Sequence, residues 1–420
     1  MRKTFKYRIY PNKQTEQKLY WTLTRCRELY NAALSERKDA YKYVGKPISY
    51  YDQQNDLPEI KAEIREEYQD IAAHVLQDVL RRLNKAFDHF FRRCKNGENP
   101  GYPRFQGRNR YDSFTYPDGA GWKLTVEEQG KKLKGTLSLT KIGQAKVTLH
   151  RKLEGKIKAV TIKREVDQWY VTFSCEVEEP EKLPTSYEDV GIDLGVTHLA
   201  TLSNGKMIEH PRYYRKARKV LEKRQHALSR KKRGSHRREK ARKGVSRTHR
   251  KIARQRKDFQ HKASKKLVGR YQVIVFEDIK TANLTRKPKP KQDASGAYLP
   301  NGASAKGGLN KSILDAGWGT FVSMCHYKAA WAGRTLIKVS PKFTSQICSG
   351  CGQVRKKDLS ERWHSCDCGT ELDRDVNAAI NILERGRRQQ SAMAVEAPCL
   401  EAGEYFTVKR DETFEIMKNL

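Results

Sequence analysis

Residues 190–202 read Val190-Gly-Ile-Asp-Leu-Gly-Val-Thr-His-Leu-Ala-Thr-Leu202, and Ser203-Asn-Gly and Lys206-Met-Ile follow. Two apolar runs around a turn signal predict a hairpin that opens a central sheet. Side chains alternate faces along a strand, so Ile192, Leu194 and Val196 enter a core while Asp193 faces the other way. Gly191 and Gly195 flank that carboxylate, which leaves room for a metal ion and a phosphate backbone.

Two further segments supply acids. Gln272-Val-Ile-Val-Phe-Glu277 reads as a buried strand whose last residue, Glu277, reaches the sheet edge. In Leu372-Asp-Arg-Asp-Val-Asn-Ala-Ala-Ile-Asn-Ile382, a helix starting at Asp375 would put Ala378, Ala379 and Ile382 on one face. Small alanines would let that helix lie close to the sheet. Asp373 would sit about 200° away around such a helix, so only one of the two aspartates serves a single site, and spacing does not choose between them. Singly, each acid is ordinary: a turn acid, a strand-end acid, an acid favoured by a helix dipole. As a set they suit hard divalent ions, typically Mg²⁺. Two such ions about 4 Å apart activate a water and stabilise a leaving oxygen, the chemistry of phosphodiester hydrolysis.

Of nine cysteines, Cys348, Cys351, Cys366 and Cys368 cluster. Cys-x₂-Cys followed by Cys-x-Cys can supply four thiolates to a structural, tetrahedral Zn²⁺. His364 is a substitute ligand should Cys366 or Cys368 point away. The other five, Cys26, Cys94, Cys175, Cys325 and Cys399, read as small core residues.

Charge sets the partner class. Lys and Arg total 85 against 49 Asp and Glu, a net +36, and residues 211–270 hold 26 of the bases against Glu222, Glu239 and Asp258. So concentrated a charge predicts a polyanion, nucleic acid before an anionic membrane. Within it, Arg230-Lys231-Lys232-Arg233 and Arg237-Arg238 are the candidate contacts to a nucleic-acid backbone. No apolar run has the length of a membrane span, and the basic start lacks the apolar stretch of a secretory leader. A reducing, cytoplasmic setting is expected, with the protein held on the nucleoid through DNA.

The rest of the chain divides by period. Phe5, Tyr7 and Ile9 alternate as a strand; Leu19, Leu23, Cys26, Tyr30, Ala33 and Leu34 follow helical spacing, as do Leu76, Val79, Leu83, Phe87 and Phe90. Short alternating runs over 110–180 predict a small antiparallel barrel that the N-terminal strand completes. Residues 286–311 read as a loop, 312–331 as a helix, Thr335 to Val339 as a strand, Val376 to about Arg385 as a short helix, and 389–420 as a disordered tail.

These motifs, in this order, resemble the TnpB family: RNA-guided nucleases of insertion sequences, related to small type V CRISPR effectors. Asp-Leu-Gly after a strand, Phe-Glu-Asp ending one, and Asp-Arg-Asp-Val-Asn-Ala-Ala-Ile-Asn-Ile look like its three RuvC motifs. Phe5-Lys-Tyr-Arg-Ile-Tyr-Pro, Arg27-Glu-Leu-Tyr-Asn-Ala-Ala-Leu34, Pro100-Gly-Tyr-Pro-Arg-Phe105 and Lys342-Phe-Thr-Ser-Gln-Ile-Cys-Ser-Gly-Cys-Gly352 match its other segments, so the likeness spans roughly 1–388. The resemblance implies an α+β multidomain fold. Residues 1–12 and 96–185 would form a wedge β-barrel, 13–95 a helical recognition lobe, 186–345 and 371–388 an RNase H-like RuvC nuclease domain, and 346–370 a zinc ribbon. It implies Asp193, Glu277 and Asp375 as the catalytic, Mg²⁺-binding acids, and chooses Asp375 over Asp373. It implies one chain bound to a guide RNA from the transposon end, cutting target DNA beside a short motif, where pairing reads sequence and protein reads shape. A small CRISPR effector, a guide-directed DNA-binding protein without cleavage and a strand-joining transposase are the competing readings.

Overall fold

The structure, a computed structural model, describes residues 1–129, 132–358 and 361–395. It separates into two units: Met1–Glu179 with Ala227–Arg247, and Pro180–His226 with the chain from Thr248 onward.

The first unit is built on β1 (Arg2–Pro11), whose Phe5, Tyr7 and Ile9 are buried while the residues between them are exposed. Helix α1 (Lys13–Asp39) follows, started by Asn12, whose side chain accepts from Thr15 N at 2.7 Å. Short helices α2 (Tyr50–Asn55) and α3 (Leu57–Glu59) lead to α4 (Ala73–Lys95), which buries Val75, Leu76, Val79, Leu80 and Leu83. Strands β2 (Ser113–Tyr116), β3 (Trp122–Gln129), β4 (Lys132–Leu139), β5 (Gly143–Leu149), β6 (Lys156–Glu165) and β7 (Gln168–Glu176) complete a seven-stranded antiparallel sheet in the order β2-β6-β7-β1-β5-β4-β3. The expected barrel is thus a half-barrel. Its edges, β2 and β3, do not pair, and β1 lies at its centre, with Phe5 opposite Phe173 and Ile9 opposite Val147. Leu19, Leu23, Leu76 and Val79 of the helices pack into the same core as the inward residues of the sheet, occupying the space a closing wall would enclose.

In the second unit, β8 (Asp189–Asp193), β9 (His198–Leu202) and β10 (Met207–Glu209) form an antiparallel meander. Helices α5 (Tyr213–Ser229) and α6 (His236–Arg270), whose stretch Ala227–Arg247 belongs to the first unit, precede β11 (Val273–Glu277), and the short α7 (Thr281–Leu284) and a small hairpin, β12 (Lys291–Gln292) with β13 (Tyr298–Leu299), follow it. Helices α8 (Ala303–Ala316) and α9 (Trp318–Ala332) lead to β14 (Thr335–Val339). The sheet order is β10-β9-β8-β11-β14, with β8, β11 and β14 parallel. Every residue of β11 is buried, as a strand covered on both faces requires. Ile192, Ile274 and Phe276 pack with Leu267 of α6 and Phe321 of α9; Val273, Val275, Ile337 and Val339 face Ile382. Strands β15 (Trp363–Ser365) and β16 (Glu371–Asp373) then lead into α10 (Arg374–Val395).

Three further expectations change. The helix predicted over 312–331 is two helices broken at Gly317, which takes φ +67°, and the first begins inside the supposed loop, at Ala303. Tertiary hydrogen bonds override the weak local propensity there: Gln260 Nε2 donates to Ala316 O at 2.8 Å, and Asn310 Nδ2 to Thr285 O at 2.9 Å. The closing helix extends to Val395, so 389–395 is helical; the remainder of the expected tail lies outside the described residues.

Candidate active site and cysteine cluster

Strand phase and helix packing place the three acids between α10 and the sheet face it covers, although their oxygens are not drawn as tightly as the cysteine sulfurs below. Asp193 and Gly191 share the face of β8 that α10 covers, and Glu277 shares the corresponding face of β11 with Val273 and Val275. Asp375 occupies the first turn of α10. The helix lies close because both partners are small. A Cβ on Gly191 would come 2.0 Å from Ala379 O, and one on Gly386 would come 2.4 Å from Val275 Cγ2. The space reserved for a metal at Gly191 is therefore taken by the backbone of α10. At Gly195 a Cβ would meet His198 O at 2.9 Å, so that glycine permits the turn after β8.

The influence of neighbouring acids of the set shows at Asp193. Burial, then the Glu277 and Asp375 carboxylates, raise the Asp193 pKa to about 8, against a smaller opposing pull from Arg374. Burial also raises Glu277, which Thr344 Oγ1 and the more distant Arg385 partly counter. Asp375 is raised by burial and by Asp373, with Arg362, Arg374 and His198 opposing. A cavity of about 270 Å³ opens beside Glu277, lined among others by Leu194, Asp278, Trp318, His326 and Lys338. Trp318 Nε1 donates to Gly195 O at 3.1 Å, fixing the turn that follows Asp193.

Asp373 is not on a helix, as the 200° argument assumed. It ends β16, and its Oδ1 accepts from Asp375 N at 2.8 Å and Val376 N at 3.2 Å. It is the N-cap of α10, which occupies one of its oxygens and explains why two aspartates stand so close in sequence.

The sequence reading missed the residues that hold the site. Asn377 Nδ2 donates to Ile347 O at 2.7 Å and its Oδ1 accepts from Ser349 N at 2.9 Å. Asn381 Nδ2 donates to Thr344 O at 2.9 Å and Ile347 O at 2.7 Å. These asparagines, four apart, clamp the segment carrying Thr344 and Cys348 onto α10; two polar residues at i, i+4 on an apolar face were the available signal. Arg374 Nη1 donates to Asp358 O and Glu361 O, each at 3.1 Å.

The four cysteines converge. Their sulfurs lie within 4.8 Å of one another, and among the described residues no other group of three or more His, Cys, Asp or Glu is drawn that tight. Cys348 and Cys368 are 3.6 Å apart, as are Cys351 and Cys366. Four thiolates on a tetrahedral Zn²⁺ at about 2.3 Å would stand about 3.8 Å apart, so the geometry fits a closed structural metal site. The substitute ligand His364 is not in the group; it is fully buried and contacts Lys357 Nζ through Nδ1.

In the basic segment, Arg230, Lys231, Lys232 and Arg233 form the exposed turn between α5 and α6, and Arg237 is exposed just beyond it. Arg238 is half-buried, and its Nη1 donates to Leu228 O at 2.9 Å and Lys231 O at 2.8 Å, so it braces the turn.

Comparison with known proteins identifies the family. A family model described as "Probable transposase" matches residues 172–287, one described as "Cas12f1-like, TNB domain" matches 318–382, and one described as "Helix-turn-helix domain" matches 1–46, where the chain forms β1 and one long helix. "Putative RNA-guided DNA endonuclease InsQ" of Escherichia coli K12 is 32% identical over 387 residues, 91% of this chain and 92% of that protein. A "Putative RNA-guided DNA endonuclease" of Streptomyces pristinaespiralis is 34% identical over 398 residues, 92% and 90% of the two chains. The solved mini-RNA-guided endonuclease CRISPR-Cas_phi3 shares the fold at 10% identity, with a TM-score of 0.52 over 92% of each chain. With sequence relatives of that identity spanning nine-tenths of both chains, the protein belongs to the TnpB family.

Proposed function

We propose that Asp193, Glu277 and Asp375 are the catalytic carboxylates of an RNA-guided DNA endonuclease. The observation that carries this is the convergence of three acids from separate segments under one helix, each raised in proton affinity by burial, and Asp193 also by the other two. A set of hard oxygen donors, one of which the other two repel, fits divalent cations. Asp193, Glu277 and Asp375 would hold two Mg²⁺ ions, which supply an activated water and neutralise the leaving oxygen. The strand order of the second unit, with its meander and two parallel strands, supports assigning it to the RNase H-like class of RuvC domains.

The chain's own groups divide the remaining work. Thr344 orients Glu277 through its hydroxyl, and the Asp373 cap fixes where α10, and with it Asp375, begins. Zn²⁺ held by Cys348, Cys351, Cys366 and Cys368 would set the fold of the segment that Asn377 and Asn381 clamp to α10. Arg230, Lys231, Lys232, Arg233 and Arg237 offer an exposed cationic turn for the backbone of guide RNA or of the guide–target heteroduplex. The guide comes from the transposon end, and the target is DNA beside a short motif read by the protein. No helix of the described residues is long and apolar enough to cross a membrane.

Sequencing the RNA that co-purifies tests this reading. A discrete small RNA that programmes cutting of complementary DNA is the expected result; protein free of RNA, or cutting indifferent to the RNA sequence, contradicts it.

A further inference from the structure

Phe343 is held in a conformation that costs the fold twice. It takes φ +60°, in the left-handed region, and the residue is 57% exposed. Among the described residues Lys141, Val166 and Arg212 are the other non-glycine residues with positive φ, and none is aromatic. A bulky residue meets steric strain there, and an exposed phenyl forgoes the stabilisation that burial would bring.

The loop around it leaves no alternative. Gln346 N and Ile347 N both donate to Phe343 O at 3.0 Å. Arg385 Nη1 donates to Ser340 O at 2.8 Å and Lys342 O at 2.7 Å, and Asn381 Nδ2 to Thr344 O at 2.9 Å. Backbone strain that surroundings over-determine in this way concentrates at functional sites. The next residue, Thr344, is the one whose hydroxyl binds Glu277, and neighbouring Cα atoms lie about 3.8 Å apart. The exposed Lys342 precedes Phe343. A solvent-facing aromatic ring, a cation and the acidic site thus share one rigid loop.

A base has a face for such a ring whatever its identity, and a nuclease whose sequence choice is made by pairing needs contacts that tolerate any base. We propose that Phe343 is a stacking platform for one base of the DNA strand being cut, positioning the neighbouring phosphodiester at the acidic site. This rests on the nuclease reading above. Phe343 acts by positioning and takes no part in proton or metal chemistry.

The test uses the guide-bound complex and matched DNA. Phe343→Gly removes the ring and relieves the strain. It should melt no lower than wild type, yet cut about 5- to 150-fold more slowly, the range spanned by loss of one stacked base. Phe343→Trp keeps a platform and should recover most of that rate. In an Asp193→Ala background, which removes an acid without touching the loop, the fluorescence that the Phe343→Trp substitution adds should be quenched by matched DNA. The same Asp193→Ala complex with Phe343 intact supplies the background from the native tryptophans. Cutting by Phe343→Gly at the wild-type rate overturns the proposal, as does a lowered melting temperature that accounts for its lost cutting, or added fluorescence that DNA leaves unchanged. Wild-type complex that fails to cut would instead sink the nuclease reading, and the fluorescence would still decide on the platform.

Discussion

Asp193→Asn should stabilise the metal-free protein while abolishing its activity. The folded chain raises this carboxyl from its ordinary 3.8 to about 8, first by burial and then by Glu277 and Asp375. It therefore holds the Asp193 proton more tightly than the unfolded chain does. The sign follows: the stabilising contribution is complete below about pH 4 and is lost as pH rises toward 8, where the fold must carry the charge. Each pKa unit corresponds to about 1.4 kcal/mol, but water reaching the partly exposed carboxylate screens much of the full cost, leaving about 2–4 kcal/mol at pH 8. Asparagine keeps the shape without the charge. In chelator at pH 8 the melting transition of the second unit should rise by about 5–10 °C, and the gain should vanish near pH 4. Mg²⁺ should raise the wild-type transition at pH 8 and leave that of Asp193→Asn nearly unmoved, because cation binding replaces the proton. If Asp193→Asn melts at or below wild type at pH 8 in chelator, the burial and repulsion acting on Asp193 are not what the structure implies.

Other perturbations separate the parts of the site. Thr344→Val removes the hydroxyl that binds Glu277 and should raise the Mg²⁺ requirement of cleavage about 10-fold, read from a metal titration at fixed DNA. Gly191→Ala puts a methyl 2.0 Å from Ala379 O; α10 must shift, and cutting should be lost while bound zinc, assayed by atomic absorption, remains. Asn381→Leu leaves the buried Thr344 carbonyl without its donor, while Ile347 O keeps Asn377, and should lower stability by about 1–3 kcal/mol in urea denaturation, with faster zinc release to chelator. Replacing Arg230, Lys231, Lys232 and Arg233 with Gln should flatten the salt dependence of nucleic-acid binding, whereas Arg238→Gln should chiefly loosen the turn it braces.

What could be read from the sequence follows a physical line. β8 and β11 were legible because burial on one or both faces writes itself as apolar alternation or an apolar run. The face of α10 was legible through Ala378, Ala379 and Ile382, and the cysteines through their spacing. Features set by distant partners were not. Gly191 reads as space for a ligand until α10 is seen lying on it, and Asp373 reads as a rival of Asp375 until the helix is seen to start between them. The Gly-rich start of α8 reads as loop because its helicity depends on partners such as Thr285, far back in the chain. β1 alternates as an edge or a central strand would; its central place follows from pairing with both β5 and β7. Thr344 carried no signal at all, since a threonine that orients a buried glutamate looks like any other.

The most direct test of the central claim is single-turnover cutting of guide-matched DNA by complexes carrying Asp193→Ala, Glu277→Ala, Asp375→Ala or Asp373→Ala, each checked for retained guide RNA and DNA binding. The first three should bind the matched target and fail to cut it in Mg²⁺, whereas Asp373→Ala, which removes a cap, should retain measurable cutting with lowered stability. A complex lacking Asp193, Glu277 or Asp375 that cuts as fast as wild type would contradict the account.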